Sequence, residues 1–291
     1  KAWGFEVEVS WRDRIKDFNY GVKFVLSDDQ RKVTRYPNEE LNRNQWYAGR
    51  MDGLVWGYET VGIAKTDAEM EAHLASLPNG GQSQLGSKWA AGDIMYKDLN
   101  GDGKISSGDG TLNDLGDLKV VANTQLRFKY GLTLDASWKG FDFSAFFQGV
   151  GKRDVVVGGP YFWGANGQGM WQAAAFKDHM DYFRPEDTES IFGPNVDAYY
   201  PRVIFGGGSS EGGKNTLTQS RYVQNGAYIR LKNLQLGYTL PSTITKKFAV
   251  NSLRVYVSGD NLWTGTKMRV FDPEVLGSTG DAGKAYPLAR V

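Results

Sequence analysis

The fold is decided by residues 126–139, which read Leu126-Arg127-Phe128-Lys129-Tyr130-Gly131-Leu132-Thr133-Leu134-Asp135-Ala136-Ser137-Trp138-Lys139. Every second residue of this stretch is apolar, and the residues between them are polar or glycine. A period of two places all the apolar side chains on one face of a β-strand. The alternation lasts longer than the roughly 5–6 residues of an ordinary soluble strand, and its length suits a strand that crosses a bilayer.

Five further runs alternate in the same way. Together the six runs predict strands near residues 3–12, 18–28, 124–139, 141–151, 228–240 and 252–264. Val25 and Phe146 each break the alternation of their own run. The phase slips near Lys232-Asn233, which predicts a β-bulge. A two-residue turn at Lys139-Gly140 sets Trp138 opposite Phe141, so the register of that hairpin is consistent with its apolar pattern.

Short and long connections alternate along the chain. Short turns are predicted between the first and second, third and fourth, and fifth and sixth of these strands. Long loops are predicted near residues 29–123, 152–227 and 265–288. Because antiparallel neighbours reverse direction, all short turns lie at one end of the sheet, as in outer-membrane barrels with short periplasmic turns and long extracellular loops. We therefore expect an all-β fold, a portion of an antiparallel up-and-down transmembrane β-barrel. The alternative is a soluble β-sandwich, whose strands also alternate.

The composition excludes several classes of site. A formal net charge of +1 argues against a nucleic-acid partner, which would require an excess of Lys and Arg. The absence of Cys excludes disulfides, thiolate metal sites and Cys nucleophiles, and His73 and His179 cannot make a three-His zinc site. The first residues show no signal-peptide pattern, and we expect the chain to begin inside a longer protein.

One loop has the spacing of a calcium-binding loop. It reads Asp98-Leu99-Asn100-Gly101-Asp102-Gly103-Lys104-Ile105-Ser106-Ser107-Gly108-Asp109. Side-chain oxygens stand at positions 1, 3, 5 and 12, Gly stands at position 6, and Lys104 at position 7 can offer its carbonyl. The predicted ligands of a structural Ca²⁺ are Asp98, Asn100, Asp102, Lys104 and Asp109. The alternative is a turn rich in Asn, Asp and Gly that holds no ion.

Several short motifs follow one another along most of the chain. They are Trp56-Gly57-Tyr58-Glu59-Thr60, Gly92-Asp93-Ile94-Met95-Tyr96-Lys97-Asp98-Leu99-Asn100-Gly101-Asp102-Gly103, Trp138-Lys139-Gly140-Phe141-Asp142-Phe143, Phe147-Gln148-Gly149-Val150-Gly151, Tyr228-Ile229-Arg230-Leu231-Lys232-Asn233-Leu234, Gly259-Asp260-Asn261-Leu262-Trp263 and Phe271-Asp272-Pro273-Glu274. In this order they resemble the C-terminal part of SusC/RagA-type TonB-dependent outer-membrane transporters.

The resemblance implies a barrel of about twenty-two strands, an N-terminal plug, a SusD-like surface lipoprotein that closes over the barrel mouth, and coupling to the TonB complex. The plug and the TonB-contacting segment fall outside this sequence. Residues 286–291 resemble the entry to the closing strand, but that strand itself is missing from the sequence.

The function expected from the resemblance is TonB-dependent import of oligosaccharides across the outer membrane of a Gram-negative bacterium, with outer-membrane lipid around the barrel and no enzymatic chemistry. Peptide cargo is the alternative within the family. A soluble, calcium-stabilised carbohydrate-binding module and a glycoside hydrolase fragment are alternatives from other classes. Aromatic rings in the loops are candidates for stacking on sugars. They are Trp46, Tyr47, Trp56, Tyr58, Trp89, Tyr161, Trp163 and Trp171.

Overall fold

Six long strands form one antiparallel sheet. The structure is a computed structural model, and it describes residues 1–166, 175–205, 210–269 and 271–275. The long strands are β1 (Ala2–Ile15), β2 (Phe18–Arg31), β7 (Arg127–Trp138), β8 (Phe141–Lys152), β11 (Tyr228–Thr239) and β12 (Arg254–Thr266). Their order in the sheet is β1-β2-β7-β8-β11-β12, so they follow one another in chain order. This is the up-and-down arrangement expected from the alternating runs.

The smaller elements lie in the connections. The short strands are β3 (Leu54–Tyr58), β4 (Thr60–Ile63), β5 (Ile94–Tyr96), β6 (Leu118–Asn123), β9 (Asp154–Val156) and β10 (Val223–Asn225). The helices are α1 (Asp67–Ala75), α2 (Pro160–Trp163), α3 (Ser210–Gly213) and α4 (Ser242–Thr245), with 3₁₀ turns at Lys177–Met180, Ser220–Tyr222 and Lys246–Phe248. Among the described residues, no helix is both long enough and apolar enough to span a bilayer.

The register aligns apolar residues across the whole sheet. Residues directly opposite each other in an antiparallel pair share a face. One row runs from Val9 to Phe24, Leu132, Phe147, Leu231 and Trp263 and thereby includes one residue from every long strand. The register shifts between Leu231 and Asn233, which confirms the bulge predicted there. The sheet therefore has one continuous apolar face.

This apolar face is exposed. Trp11 is 62% exposed, and Val9 and Val257 are 58% exposed. A soluble sandwich would bury such a face against a second sheet. In the described part of the chain every other sheet has only two strands. The observed fold is therefore a wall of the expected barrel type, and the sandwich alternative is not supported.

The turns differ in length. Two hairpins have two-residue turns, in which Ile15 pairs with Phe18 and Trp138 pairs with Phe141, as predicted for the second. Lys139 and Gly140 both have positive φ (45° and 91°), the combination that a tight type I′ hairpin requires. The connection between β11 and β12 is longer than predicted. Pro241 ends the strand there, and α4 and a 3₁₀ turn follow.

The two apolar residues that break the alternation lie close together in the sheet. Val25 and Phe146 both lie on the polar face, and Val25 pairs with Gly131. A Cβ atom at Gly131 would lie 3.0 Å from Val25 Cγ2 and 3.3 Å from Phe146 Cε2. The absence of a side chain at position 131 therefore lets the two apolar side chains approach each other on an otherwise polar surface.

The long connections form a second body, which we call the loop layer (the described residues of 32–126 and 153–227). Its core is formed by apolar and aromatic side chains drawn from both connections, among them Tyr58, Ile94, Tyr96, Phe162 and Tyr222.

Arg127 makes two hydrogen bonds of 2.5 Å to Asp28 at the base of the first connection. The segment after β12 is held by Arg230, which is 1% exposed and pairs with Asp272 and Glu274.

Candidate functional site

A buried group of charges joins the two long connections of the loop layer. The side chains of Asp93 and Lys214 have no exposed surface, and Lys214 Nζ lies 3.0 Å from Asp93 Oδ2. Arg202 donates two more hydrogen bonds, of 2.7 and 2.8 Å, to the same carboxylate. Asp93 belongs to the first connection, and both cations belong to the second. A buried carboxylate that lost these partners would be strongly unfavourable, so this group fixes one connection against the other.

Hydrogen bonds to β5 extend this buried network. The Gln82 side chain accepts from the Tyr96 N–H at 2.6 Å and donates to the Ile94 carbonyl at 3.1 Å. The Tyr96 hydroxyl donates to the Lys214 carbonyl at 2.6 Å. Burial raises the pKa of Tyr96 well above its ordinary value, which keeps the hydroxyl protonated and able to donate.

The calcium-like loop is turned by its own acidic and amide side chains. Asp98 accepts from the backbone N–H groups of Gly101 (2.6 Å) and Gly103 (2.9 Å). Asn100 Oδ1 accepts from the Asp102 N–H at 3.0 Å, and Asp102 Oδ1 accepts from the Lys104 N–H at 3.1 Å. These bonds bring the oxygen-bearing side chains of the first turn into one compact loop.

Asp109, at position 12 of this loop, makes its hydrogen bond outside the first turn. Asp109 is exposed and accepts from the Thr111 N–H at 2.7 Å. Within the described ranges, no group of three His, Cys, Asp or Glu side chains is arranged to hold a metal ion. An ion bound here would therefore rely on the Asn100 oxygen and on carbonyl groups such as that of Lys104, together with Asp98 and Asp102. Hard oxygens of this kind suit Ca²⁺, and the calcium site stays a prediction.

Asp117 supports the same loop, and the sequence pattern did not reveal it. Its buried carboxylate accepts from the Leu99 N–H and from the Ser106 N–H, both at 2.7 Å. Burial is the largest influence on the pKa of Asp117 and raises it. The residue lies beyond the twelve-residue pattern, so motif spacing contained no signal for it.

The predicted ligand aromatics occupy different environments. Tyr58 and Trp163 are each 7% exposed and belong to the core of the loop layer, where protein atoms already cover their rings. Trp89 is partly buried, and Lys214 Nζ lies 4.6 Å from its ring centre. Trp56 is also partly buried, and its buried Nε1 has no hydrogen-bond partner within the described structure. The structure therefore does not gather these four rings into one open surface.

The remaining aromatic candidates are nearer the surface. Trp46 is 41% exposed, and Arg50 lies 4.8 Å from its ring centre and 5.8 Å from that of Tyr47. Tyr161 is 46% exposed and stacks on Phe176. Trp171 lies outside the described residues. Trp46 combines exposure with an open cleft beside it, so it is the predicted ring best placed to meet a ligand.

The buried charge pair predicts a large effect of one substitution. Lys214→Met in the full-length protein would leave Asp93 without its buried cation. Hydrogen exchange at the amides of β5 is expected to show a loss of about 3–5 kcal/mol in opening free energy. The control is Lys65→Met, which removes an exposed pair with Asp197 and is expected to change little. Equal protection in both variants would contradict the role given to Lys214.

Glu211 predicts a pH dependence of the same region. The Ser87 hydroxyl, burial and Lys214 act on this carboxyl, and the hydrogen bond from Ser87 is the main reason that its pKa falls from 4.5 to about 2. A lowered folded-state pKa contributes stability above the unfolded value, and this contribution is lost as pH falls through the folded value. The protection lost in Glu211→Gln should therefore be large above pH 4.5 and vanish near pH 2. A loss independent of pH would refute the assignment.

Comparison with known sequences finds relatives that are named as TonB-dependent receptors. No family model matches the chain. The chain is 28% identical over 285 residues to TonB-dependent receptor P3 of Formosa agariphila and 27% identical over 288 residues to TonB-dependent receptor P26 of the same organism. The alignments cover 93% and 94% of this chain but 25% of each relative. The chain thus spans about a quarter of the length of these curated relatives.

Solved structures show the same fold. The RagAB peptide transporter superposes with a TM-score of 0.62 at 22% identity, over 95% of this chain and 27% of that chain. The RagAB peptide importer in its open-open state gives a TM-score of 0.61 at 20% identity, over 96% of this chain and 27% of that chain. In sequence the chain is thus similar over nearly its whole length to curated TonB-dependent receptors, and it shares the fold of the RagAB transporter.

Proposed function

We propose that the chain forms part of the wall and the outer loops of an outer-membrane barrel that imports oligosaccharides with energy delivered through TonB. The observation that carries this proposal is the apolar face that crosses all six long strands and stays exposed. Such a face is stable against hydrocarbon and costly against water. The opposite face is polar, as expected for a barrel lumen that cargo passes through.

The loop layer supports a role at the mouth of the barrel. It lies at the end of the sheet away from the two tight hairpins, which in outer-membrane barrels is the extracellular end. Its buried charge group and its aromatic core make it a preformed body that could support a surface lipoprotein of the SusD type. The chain supplies no proposed catalytic group. The carboxylate of Asp181 in the second connection is engaged by Asn195 and Arg269.

Peptide import is the second candidate. The solved structures that superpose on this chain are titled as peptide transporters, and that observation favours peptides. The exposed Trp46 favours sugars, because the flat face of an indole ring stacks well on a pyranose.

The test is fractionation of the full-length protein from its native host. We expect it in the detergent extract of the outer membrane, together with a lipoprotein, and mass spectrometry of the purified complex should show bound oligosaccharide. Bound peptides would replace the first candidate with the second. Recovery as a soluble monomer would overturn the transporter altogether.

We also propose that Ca²⁺ braces the loop of residues 98–109. Calcium titrated into EGTA-treated full-length protein is expected to bind with a Kd of about 10⁻⁴–10⁻³ M, the range of extracellular modules. Asp98→Asn and Asp102→Asn should each abolish this binding. Asp114→Asn removes a neighbouring carboxylate that caps the Gly116 N–H, and it should leave binding intact. Calcium binding that is insensitive to Asp98 and Asp102 would exclude this site.

A further inference from the structure

A basic cleft lies beside the exposed Trp46. Its volume is about 470 Å³, which is within the size range of ligand sites. The charged residues that line it with Trp46 are Lys1, Arg31, Lys32, Arg35 and Asp52. Four cations therefore face one carboxylate, although the chain as a whole is almost neutral. The cleft is a local concentration of positive charge.

Three of the four cations of the cleft form no salt bridge within the described ranges, and Arg31 acts on Asp29 only as a nearby charge. Arg31, Lys32 and Arg35 are exposed and form no salt bridge there. Asp29, two positions before Arg31 in β2, is already paired with Lys129 at 2.8 Å. Asp52 accepts a hydrogen bond from the Gly53 N–H at 3.0 Å. Like charges held close together repel one another, and an anion in the cleft would relieve that repulsion.

The aromatic ring adds a second recognition element. The Arg50 guanidinium lies 4.8 Å from the centre of the Trp46 ring, and Arg50 is itself held by a 2.6 Å hydrogen bond to the Gln45 carbonyl. The ring thus has a fixed neighbour, and Trp46 as a whole residue is 41% exposed. A pyranose offers the apolar face that stacks on such a ring, and guanidinium groups bind carboxylate or sulfate with paired hydrogen bonds.

We infer that this cleft binds an anionic carbohydrate, a saccharide that carries carboxylate or sulfate groups, with Trp46 stacked on a sugar ring and Arg31 and Arg35 on the acidic substituents. The inference rests on the proposed import of oligosaccharides and specifies the class of cargo. A neutral saccharide could use the tryptophan, but it would leave the cations without partners. A simple inorganic anion could use the cations, but it would leave the ring uncovered.

The test is calorimetric titration of the purified full-length protein. The probes are a heparin-derived tetrasaccharide, which carries sulfate and uronate groups, and cellotetraose, which is neutral. We expect the acidic tetrasaccharide to bind about tenfold or more tightly than cellotetraose, and added salt to weaken its binding. Equal affinity for the two probes would overturn the inference.

Substitutions distinguish binding in the cleft from a non-specific attraction of the anion to exposed cations. Arg31→Gln with Arg35→Gln should weaken binding of the acidic tetrasaccharide by about tenfold or more. The matched control is Lys246→Gln with Lys247→Gln, which removes the same charge from exposed residues at the opposite end of the sheet and should change affinity by less than about twofold. Similar losses in both double variants would overturn the inference.

Stacking is tested at Trp46. Trp46→Ala should weaken binding of the acidic tetrasaccharide, and Trp46→Phe should restore most of it, because a flat ring remains. No loss in Trp46→Ala would overturn the role of the ring. All these residues are exposed, and unchanged thermal unfolding of each variant would show that the fold is intact.

Lipopolysaccharide is an anionic carbohydrate that belongs to the membrane and not to the cargo. A parallel titration with lipopolysaccharide micelles distinguishes these two sources of the ligand. Binding of the tetrasaccharide supports a cargo site. Binding of lipopolysaccharide alone, lost in the Arg31 and Arg35 double variant, assigns the anionic carbohydrate to the membrane, and binding of neither overturns the inference. A full-length protein found outside the outer membrane would instead overturn the proposed function, whatever the titrations show.

Discussion

The antiparallel hydrogen-bond ladder from β1 to β12 is the constraint on which the rest of the molecule depends. Every strand pairs with its neighbours in a register that, along most of the ladder, keeps apolar residues opposite apolar residues. A slip of one residue in any pairing would turn an entire strand over and place charges on the apolar face. At the bulge after Leu231 the register of β11 shifts against both β8 and β12, and the apolar residues Leu234 and Leu236 beyond it return to the apolar face.

The loop layer and the sheet differ in where their apolar residues lie. The sheet exposes its apolar residues, whereas the loop layer buries its own and adds charges among them. Asp93 is satisfied by Arg202, Lys214 and Asn215, so the buried carboxylate is fully partnered. Such a group contributes little favourable energy by itself, but alternative packings of the two connections would leave a charge unpaired. The layer is therefore specified by its polar contacts as much as by its aromatic core.

The sequence predicted the sheet better than the loop layer, for physical reasons. Strand position, face and the bulge follow from a period of two, which is a local property of the chain. The partners of Asp93, the support from Asp117 and the burial of Tyr58 and Trp163 depend on contacts between distant segments, and no local pattern encodes them. The connection after β11 was predicted too short, because alternation locates strands but gives no length for the turn that follows Pro241. Trp46 was identified by residue type alone. The cations beside it were visible in the sequence at positions 31–35, but their position beside the ring was not.

The ion pair between Asp28 and Arg127 has a consequence for how the chain assembles. These residues stand 99 positions apart, yet they meet where β2 and β7 begin to pair. The β1–β2 and β7–β8 hairpins involve only nearby residues, so each is able to form early. Joining them requires the entire first connection to close into a ring, and the entropy cost of closure rises with its length. Because contacts between distant residues form slowly, the seam between β2 and β7 is expected to form later than either hairpin.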